Sequence, residues 1–278
     1  DFVRSHYVVF CTKNGTVKKT CLEQYSRPRA NGVIAINLLE DDDLIDVRLT
    51  NGHDELIIAS RNGRAVRFHE NDIRTMGRVS TGVRGINLCR DEDPENEVVG
   101  MIVVNKPQEE SVLVVSEKGF GKRTPIDIPN EESEDGVDHI YRITSRGGKG
   151  VKTLDITEKT GKLVAIKNVK DENDLMIITK SGIVIRLSVQ ECRLQGRATQ
   201  GVRLINLTKK NDVIASVCKV MGSELEAMVE QQSRAAWAKL NADESEAEEK
   251  DAENASSNEG NAVDGAPLVD FTDDDSQE

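Results

Sequence analysis

Aromatic side chains are scarce in this sequence: five Phe, three Tyr and one Trp make up 3% of 278 residues. Single-stranded nucleic acid is held by bases stacked on exposed rings, so that mode of binding lacks its platform here. The four histidines, His6, His53, His69 and His139, are scattered without the spacing that gathers ligands around a metal. The five cysteines, Cys11, Cys21, Cys89, Cys192 and Cys218, are odd in number and include no CxxC pair, which points to buried reduced thiols. No stretch approaches the roughly 20 apolar residues that cross a bilayer, and no signal-like start is present, so a cytoplasmic protein without membrane contact is expected. The chain opens at Asp1 in polar sequence that runs straight into a strand, which reads as a segment of something longer. Two phosphate- or cation-like stretches also fail. GFGKRT (119–124) lacks P-loop spacing, and EDDDLID (40–46) lacks the glycine and terminal Glu of an EF-hand. Carboxylates and serines form no recognisable catalytic set, and neither a metal site nor a catalytic residue is expected.

What is present is repetition. An apolar strand, Ser or Thr, two residues, Gly and then a basic residue four places on recurs around Gly15, Gly63, Gly119 and Gly182. The hydroxyl residues are Thr12, Ser60, Ser116 and Thr179, and the basic ones Lys19, Arg67, Arg123 and Arg186. A second glycine follows in each copy, at Gly32, Gly82, Gly150 and Gly201, always succeeded by Val. The runs YVVFCT, ELIIAS, SVLVVS and DLMIIT, each meeting a glycine turn, signal β-hairpins. After the second glycine, recurring apolar residues, as in Val33 and then Ile36 with Leu38 at alternate positions, predict another strand, and LIDVRL, VVGMIVV, LVAIKNV and VIASVCKV one more. The expected fold is all-β and propeller-like, with about four visible four-stranded blades over residues 1–220, in copies near 1–50, 51–105, 106–170 and 171–220. The third copy carries an extra NEESEDGVDH. Ser223 and Glu226 form a capping box before Leu225, Met228, Val229, Ala236 and Leu240, predicting an amphipathic helix over 221–240.

Charge is divided unevenly. Residues 241–278 hold 14 acidic side chains and one basic, a composition that predicts a disordered tail. Removing them from totals of 49 acidic and 37 basic leaves 35 and 36, so the folding part is near neutral and its cations must be judged by placement.

The connection before each second glycine is rich in Arg, Lys and Gly: SRPRANG, TMGRVSTG, TSRGGKG and LQGRATQG. Backbone N–H groups freed by glycine, with Arg forks, suit phosphate oxygens. Arg27, Arg29, Arg78, Arg146, Lys149 and Arg197 lie there, with Gly147 and Gly148, and a basic residue two past the glycine recurs as Arg84, Lys152 and Arg203. Around a ring of blades these would share one rim and form a curved positive track. The hairpin cations Lys18, Lys19, Arg64, Arg67, Lys122, Arg123 and Arg186 are expected to extend the same surface. Duplex DNA bent around the rim is the favoured ligand. About six phosphate contacts would make log affinity fall with log salt at a slope near −5. Bending costs on the order of 1–10 kcal/mol, so contacts must continue along the curve.

The stretches NGTVKKT, RTMG followed by STGVRGI, GFGKRT and GRATQGV resemble the later repeats of the C-terminal domain of bacterial DNA gyrase A. The resemblance covers about residues 7–220, and the acidic tail is similar too. It implies a β-pinwheel that wraps duplex DNA around its edge in a type II topoisomerase. It further implies partnership with the gyrase A core and with gyrase B in a heterotetramer that introduces negative supercoils. ATP and Mg would act elsewhere in that assembly, with no cofactor in this segment. The family's heptapeptide Q-R/K-R-G-G-R/K-G has its nearest match in SRGGKG (145–150), where Thr144 and Ser145 stand in place of Gln and the first basic residue. This copy reads as a later blade, with the family's first blades absent from the segment. Two other readings are the equivalent domain of topoisomerase IV, which serves decatenation, and a protein-binding propeller.

Overall fold

A computed structural model of the chain describes residues 2–134, 136–207 and 212–221. The helix expected over 221–240 and the tail over 241–278 lie outside the described residues, apart from Met221, which ends the last strand. None of the helices among the described residues is long and apolar enough to cross a membrane.

Each of the wholly apolar runs is the second strand of an antiparallel sheet. In the first blade Tyr7–Thr12 pairs with Thr16–Cys21 on one side and Leu44–Thr50 on the other. In the second, Glu55–Ser60 lies between Arg64–His69 and Val98–Val104. Ser111–Ser116 and Asn173–Thr179 occupy the same place in the third and fourth. In the second and third blades these runs are apolar on both faces because both faces are covered. Leu56 and Ile58 enter the core shared with the first blade, while Ile57 and Ala59 enter the core shared with the third. Val112 and Val114 likewise face the second blade, and Leu113 and Val115 the fourth. Alternation along one strand therefore feeds two cores. The extra segment of the third copy forms a small hairpin, Asp127–Pro129 with Val137–His139.

The fourth strand of each of the first three sheets is borrowed from the next copy. Val83–Arg84 pairs with Thr16 and Val17 of the first blade, Val151–Lys152 with Arg64 and Ala65 of the second, and Val202–Arg203 with Phe120 and Gly121 of the third. The sequence-derived strand after the second glycine is thus real but only two residues long. It ends because the next two N–H groups leave the ladder and converge on the hairpin glycine's carbonyl. Thr153 and Leu154 donate to Gly63 at 2.8 and 3.2 Å, and Leu204 and Ile205 to Gly119 at 2.8 and 3.3 Å. Among the described residues the fourth sheet has three strands, not the expected four. In the first copy, residues 33–39 form no strand, and Ile34 and Leu39 are 64% and 56% exposed.

This handover explains the glycines. All four hairpin glycines have φ between 78° and 85°. A Cβ on Gly63 would sit 2.5 Å from the Leu154 carbonyl oxygen, and one on Gly119 2.5 Å from that of Ile205. At Gly182, where no strand is borrowed among the described residues, it would meet nothing within 4 Å. Gly63→Ala is therefore expected to cost about 2–4 kcal/mol in urea unfolding, combining backbone strain with a clash, and Gly182→Ala only about 1 kcal/mol. Equal costs at the two sites would contradict the handover as the reason for glycine.

Candidate nucleic-acid interface

The second, third and fourth of the loops that precede a second glycine begin by docking on the preceding hairpin. Met76 N–H donates to the Lys19 carbonyl at 2.8 Å, Thr144 to Arg67 at 2.8 Å and Gln195 to Arg123 at 2.9 Å. The loops are then joined to one another by bonds that repeat residue for residue. Arg78 Nη1 donates to the Ile34 carbonyl at 3.3 Å, Arg146 Nη1 to that of Arg84 at 3.0 Å, and Arg197 Nη1 to that of Lys152 at 3.0 Å. In each pair the acceptor lies two past the second glycine of the preceding copy. A return contact runs the other way: Asn37 N–H to Ser80, Asn87 to Gly148 and Asp155 to Thr199, at 3.3, 2.9 and 3.0 Å. Four consecutive loops thus form one hydrogen-bonded edge, with Arg78, Arg146 and Arg197 in equivalent places on it.

Those three arginines are half-buried, each using one nitrogen for the neighbouring loop. Arg146 also donates Nε to the Asp72 carbonyl at 2.9 Å. Arg27, Arg29, Arg84, Lys149, Lys152 and Arg203 are exposed. Lys149 pairs with Glu92 at 3.1 Å and Lys152 with Asp155 at 2.8 Å, both at the surface, where such pairs exchange readily with other anions. The Arg203 guanidinium lies 5.3 Å from the Phe120 ring centroid. Gly32, Gly82, Gly147, Gly150 and Gly201 all have positive φ; Gly148 does not. At Gly150 a Cβ would approach the Ala65 carbonyl oxygen to 2.3 Å, so that glycine serves the handover rather than a ligand.

The hairpin cations require a correction. Lys19, Arg67 and Arg123 are 4%, 2% and 7% exposed and form inter-copy latches instead of surface charge. Lys19 reaches Glu70 of the next copy at 3.4 Å; Glu70 also accepts from Thr50 Oγ1 and from the N–H groups of Gly52 and Asp54. Arg67 forks onto Asp127 at 2.5 and 2.9 Å, donates to the Tyr141 carbonyl at 2.9 Å and pairs with Glu55. Arg123 donates to the Cys192 carbonyl at 2.7 Å and pairs with Asp171. Arg186 remains exposed and pairs with Asp174 at 2.7 Å. Lys18 and Lys122 are buried as well. A hairpin with solvent on one face would display these charges; here both faces are packed. The acceptors Glu70, Asp127 and Asp171 escaped the sequence reading because they lie in the following copy.

The cysteines fit the buried-thiol expectation in part: Cys11 and Cys192 are buried, Cys21 and Cys89 half-buried and Cys218 exposed, all unbridged. Burial pushes the Cys192 thiol up to about 11, which makes it a poor nucleophile.

The sequence matches the family described as "DNA gyrase C-terminal domain, beta-propeller" over residues 6–51, 54–105, 110–127, 141–170 and 173–218, more than half of the chain. The chain belongs to the DNA gyrase C-terminal domain family. Among curated proteins, the DNA gyrase A of Staphylococcus epidermidis is 45% identical over 214 residues, covering 77% of this chain and 22% of that protein. The DNA gyrase A of Staphylococcus aureus strain MRSA252 is 43% identical over 228 residues, 82% of this chain and 24% of that protein. The chain therefore spans about a quarter or less of these relatives. Of solved structures, the C-terminal domain of DNA topoisomerase IV aligns with a TM-score of 0.69 and 26% identity, over 84% of this chain and 68% of that one. A DNA gyrase A C-terminal domain aligns with 0.65 and 22%, over 80% and 68%, a likeness of fold.

Within this gyrase-family domain the latch around Asp127 titrates. Burial alone would raise its carboxyl, but hydrogen bonds from Arg67 and His139 outweigh burial and hold it below the ordinary 3.8. A depressed native value means stability present above 3.8 and lost as pH falls through the folded value. Arg67→Met leaves this carboxylate buried without its main partner and should cost about 3–5 kcal/mol at pH 7, while Asp127→Asn should flatten the acid limb of the stability profile. Chemical denaturation from pH 2 to 7 reads both; an Arg67→Met variant as stable as the parent would contradict the latch.

Proposed function

We propose that this chain is a duplex-DNA-binding and wrapping module of DNA gyrase A. In this reading it supports ATP-dependent negative supercoiling by a holoenzyme whose cleavage and ATPase machinery lies in the gyrase A core and in gyrase B. The observation that carries the reading is the repeated Arg78–Ile34, Arg146–Arg84 and Arg197–Lys152 contact, which fixes three guanidinium groups at equivalent points along one edge. Phosphates follow one another at regular intervals along a duplex, so a ligand with a repeating charge suits a protein edge with a repeating cation. Arg27, Arg29, Arg84, Lys149, Lys152 and Arg203 add charge beside them without reading bases. Binding should be tolerant of sequence.

The latches leave Lys19, Arg67 and Arg123 out of the interface, while Arg186 stays exposed and, like Lys149 and Lys152, is held in a surface ion pair that a phosphate can replace. Chain-level chemistry is limited to holding DNA; strand passage belongs to the assembly. The same domain of topoisomerase IV is the second reading, favoured by the 0.69 TM-score of that solved structure. The 45% identity to a gyrase A protein supports gyrase over it. Supercoiling against decatenation by a reconstituted holoenzyme separates the two.

Fluorescence anisotropy on two unrelated duplexes tests the interface. Arg78→Ala, Arg146→Ala and Arg197→Ala are expected to weaken both duplexes similarly, each lowering the slope of log affinity against log salt by about 0.9. Unchanged affinity and slope in all three variants would overturn the assignment.

A further inference from the structure

Lys18 and Lys122 sit one residue before the latch position in the first and third blades, and both are fully buried at 0% exposure. Neither makes an ion pair among the described residues. Lys122 Nζ donates to the carbonyls of Gly196 (2.6 Å), Arg197 and Thr199 (3.1 Å), and to Thr199 Oγ1 at 3.0 Å. Lys18 Nζ donates to the carbonyls of Ala35 and Arg78, and the Tyr25 hydroxyl donates to the same Ala35 oxygen at 3.0 Å. All of Lys122's acceptors and one of Lys18's belong to an edge loop, the other being Ala35 of the 33–39 segment joined to that loop, and Arg78 and Arg197 are the equivalent loop arginines. A buried ammonium needs acceptors for its N–H donors; Lys122 finds a full set in the loop, and Lys18 two carbonyls with its charge 5.1 Å from the Phe10 ring centroid, so lysine and loop constrain each other. The second blade provides a comparison: Val66 occupies the lysine's position. It lines a cavity of about 170 Å³ together with Thr144, Ser145, Gly148 and Gly150 of the loop above.

We propose that Lys18 and Lys122 are positioning residues for polyanion binding. Each holds an edge loop from beneath, 75–82 and 194–201 respectively, in the shape that presents Arg78 and Arg197, while the loop at 143–150 adjusts on the ligand. The proposal rests on the reading of this edge as the duplex-binding surface. Burial, with Arg78 beside one and Arg197 beside the other, pushes both ammonium groups down to about 8 from the ordinary 10.5. Asp155 opposes this at Lys122, and Tyr25 is the further ionisable group facing Lys18. The loop-bound lysine holds its proton less tightly than a solvated one. Opening a loop therefore takes up a proton between about 8 and 10.5, and closure becomes more favourable as pH rises through that window.

Carbon-detected NMR of the whole chain, with ¹³C at lysine Cε, tests the clamp without DNA. Lys18 and Lys122 are expected to titrate near 8, with backbone resonances of 75–82 and 194–201 moving at the same midpoint and those of 143–150 still. Titration near 10.5 without a loop response overturns the proposal. In parallel, Lys18→Met and Lys122→Met are expected to lose about three- to tenfold in duplex affinity, because the presenting loop shape becomes a minor state. Full affinity in both variants overturns the positioning role even if the titration is as expected. A parent chain that binds no duplex sinks the reading of the edge, while the titration still decides the clamp. Should a variant fail to fold, the titration of the parent stands as the deciding result.

Discussion

The handover of a Gly-Val-basic strand from each copy to the preceding hairpin is the constraint on which the architecture depends. It places a carbonyl of one copy against a glycine of another at Gly63, Gly82, Gly119, Gly150 and Gly201, where no side chain fits without displacement. The same step aligns the edge loops. A loop docked on one hairpin must deliver its second glycine to the strand edge of that hairpin, so its length and path vary little between copies. The inner ends are tied in parallel fashion, by Val98 to Lys13, Leu163 to Arg61 and Ile214 to Glu117, at 2.8–2.9 Å. Neighbouring blades are thus held at both the inner and outer ends of the sheets, and a regular outer edge follows from backbone geometry before any charge is considered.

Charge enters in two layers. Beneath the edge, Lys18, Lys19, Arg67, Lys122 and Arg123 spend their donors on carbonyls and carboxylates of the neighbouring copy. Such buried pairs add specificity of docking more than net stability, because desolvation offsets much of the attraction. Above it, the loop arginines keep part of each guanidinium facing outward, and exposed cations flank them. The folding part is close to neutral, and three of its carboxylates, Glu70, Asp127 and Asp171, are committed to the latches, while Glu92 and Asp155 pair with cations of the edge itself.

The glycine and hairpin pattern was legible in the sequence because the backbone requirement repeats in every copy. The four apolar runs announced the middle strands, and the basic loops announced the edge. The borrowing of the fourth strand was not legible, since Val83, Val151 and Val202 pair with residues of another copy and periodicity carries no partner information. For the same reason Lys18, Lys19, Arg67, Lys122 and Arg123 were misread as surface, while Arg186 in the last copy is exposed. A half-buried hairpin would have exposed one of Lys18 and Lys19, whereas a blade packed on both faces buries both. Val17 and Ala65, on the same face as Lys19 and Arg67, offered the one available hint that this face is covered.

If the joined loops act as one curved track rather than as separate anion sites, a bound duplex must bend. Energy transfer between dyes at the two ends of a duplex of about 40 base pairs measures this most directly, since a track must shorten the end-to-end distance as it binds. Transfer is predicted to rise as the chain is added at low salt and to fall back as salt releases the DNA. Saturated binding with unchanged transfer would contradict the track.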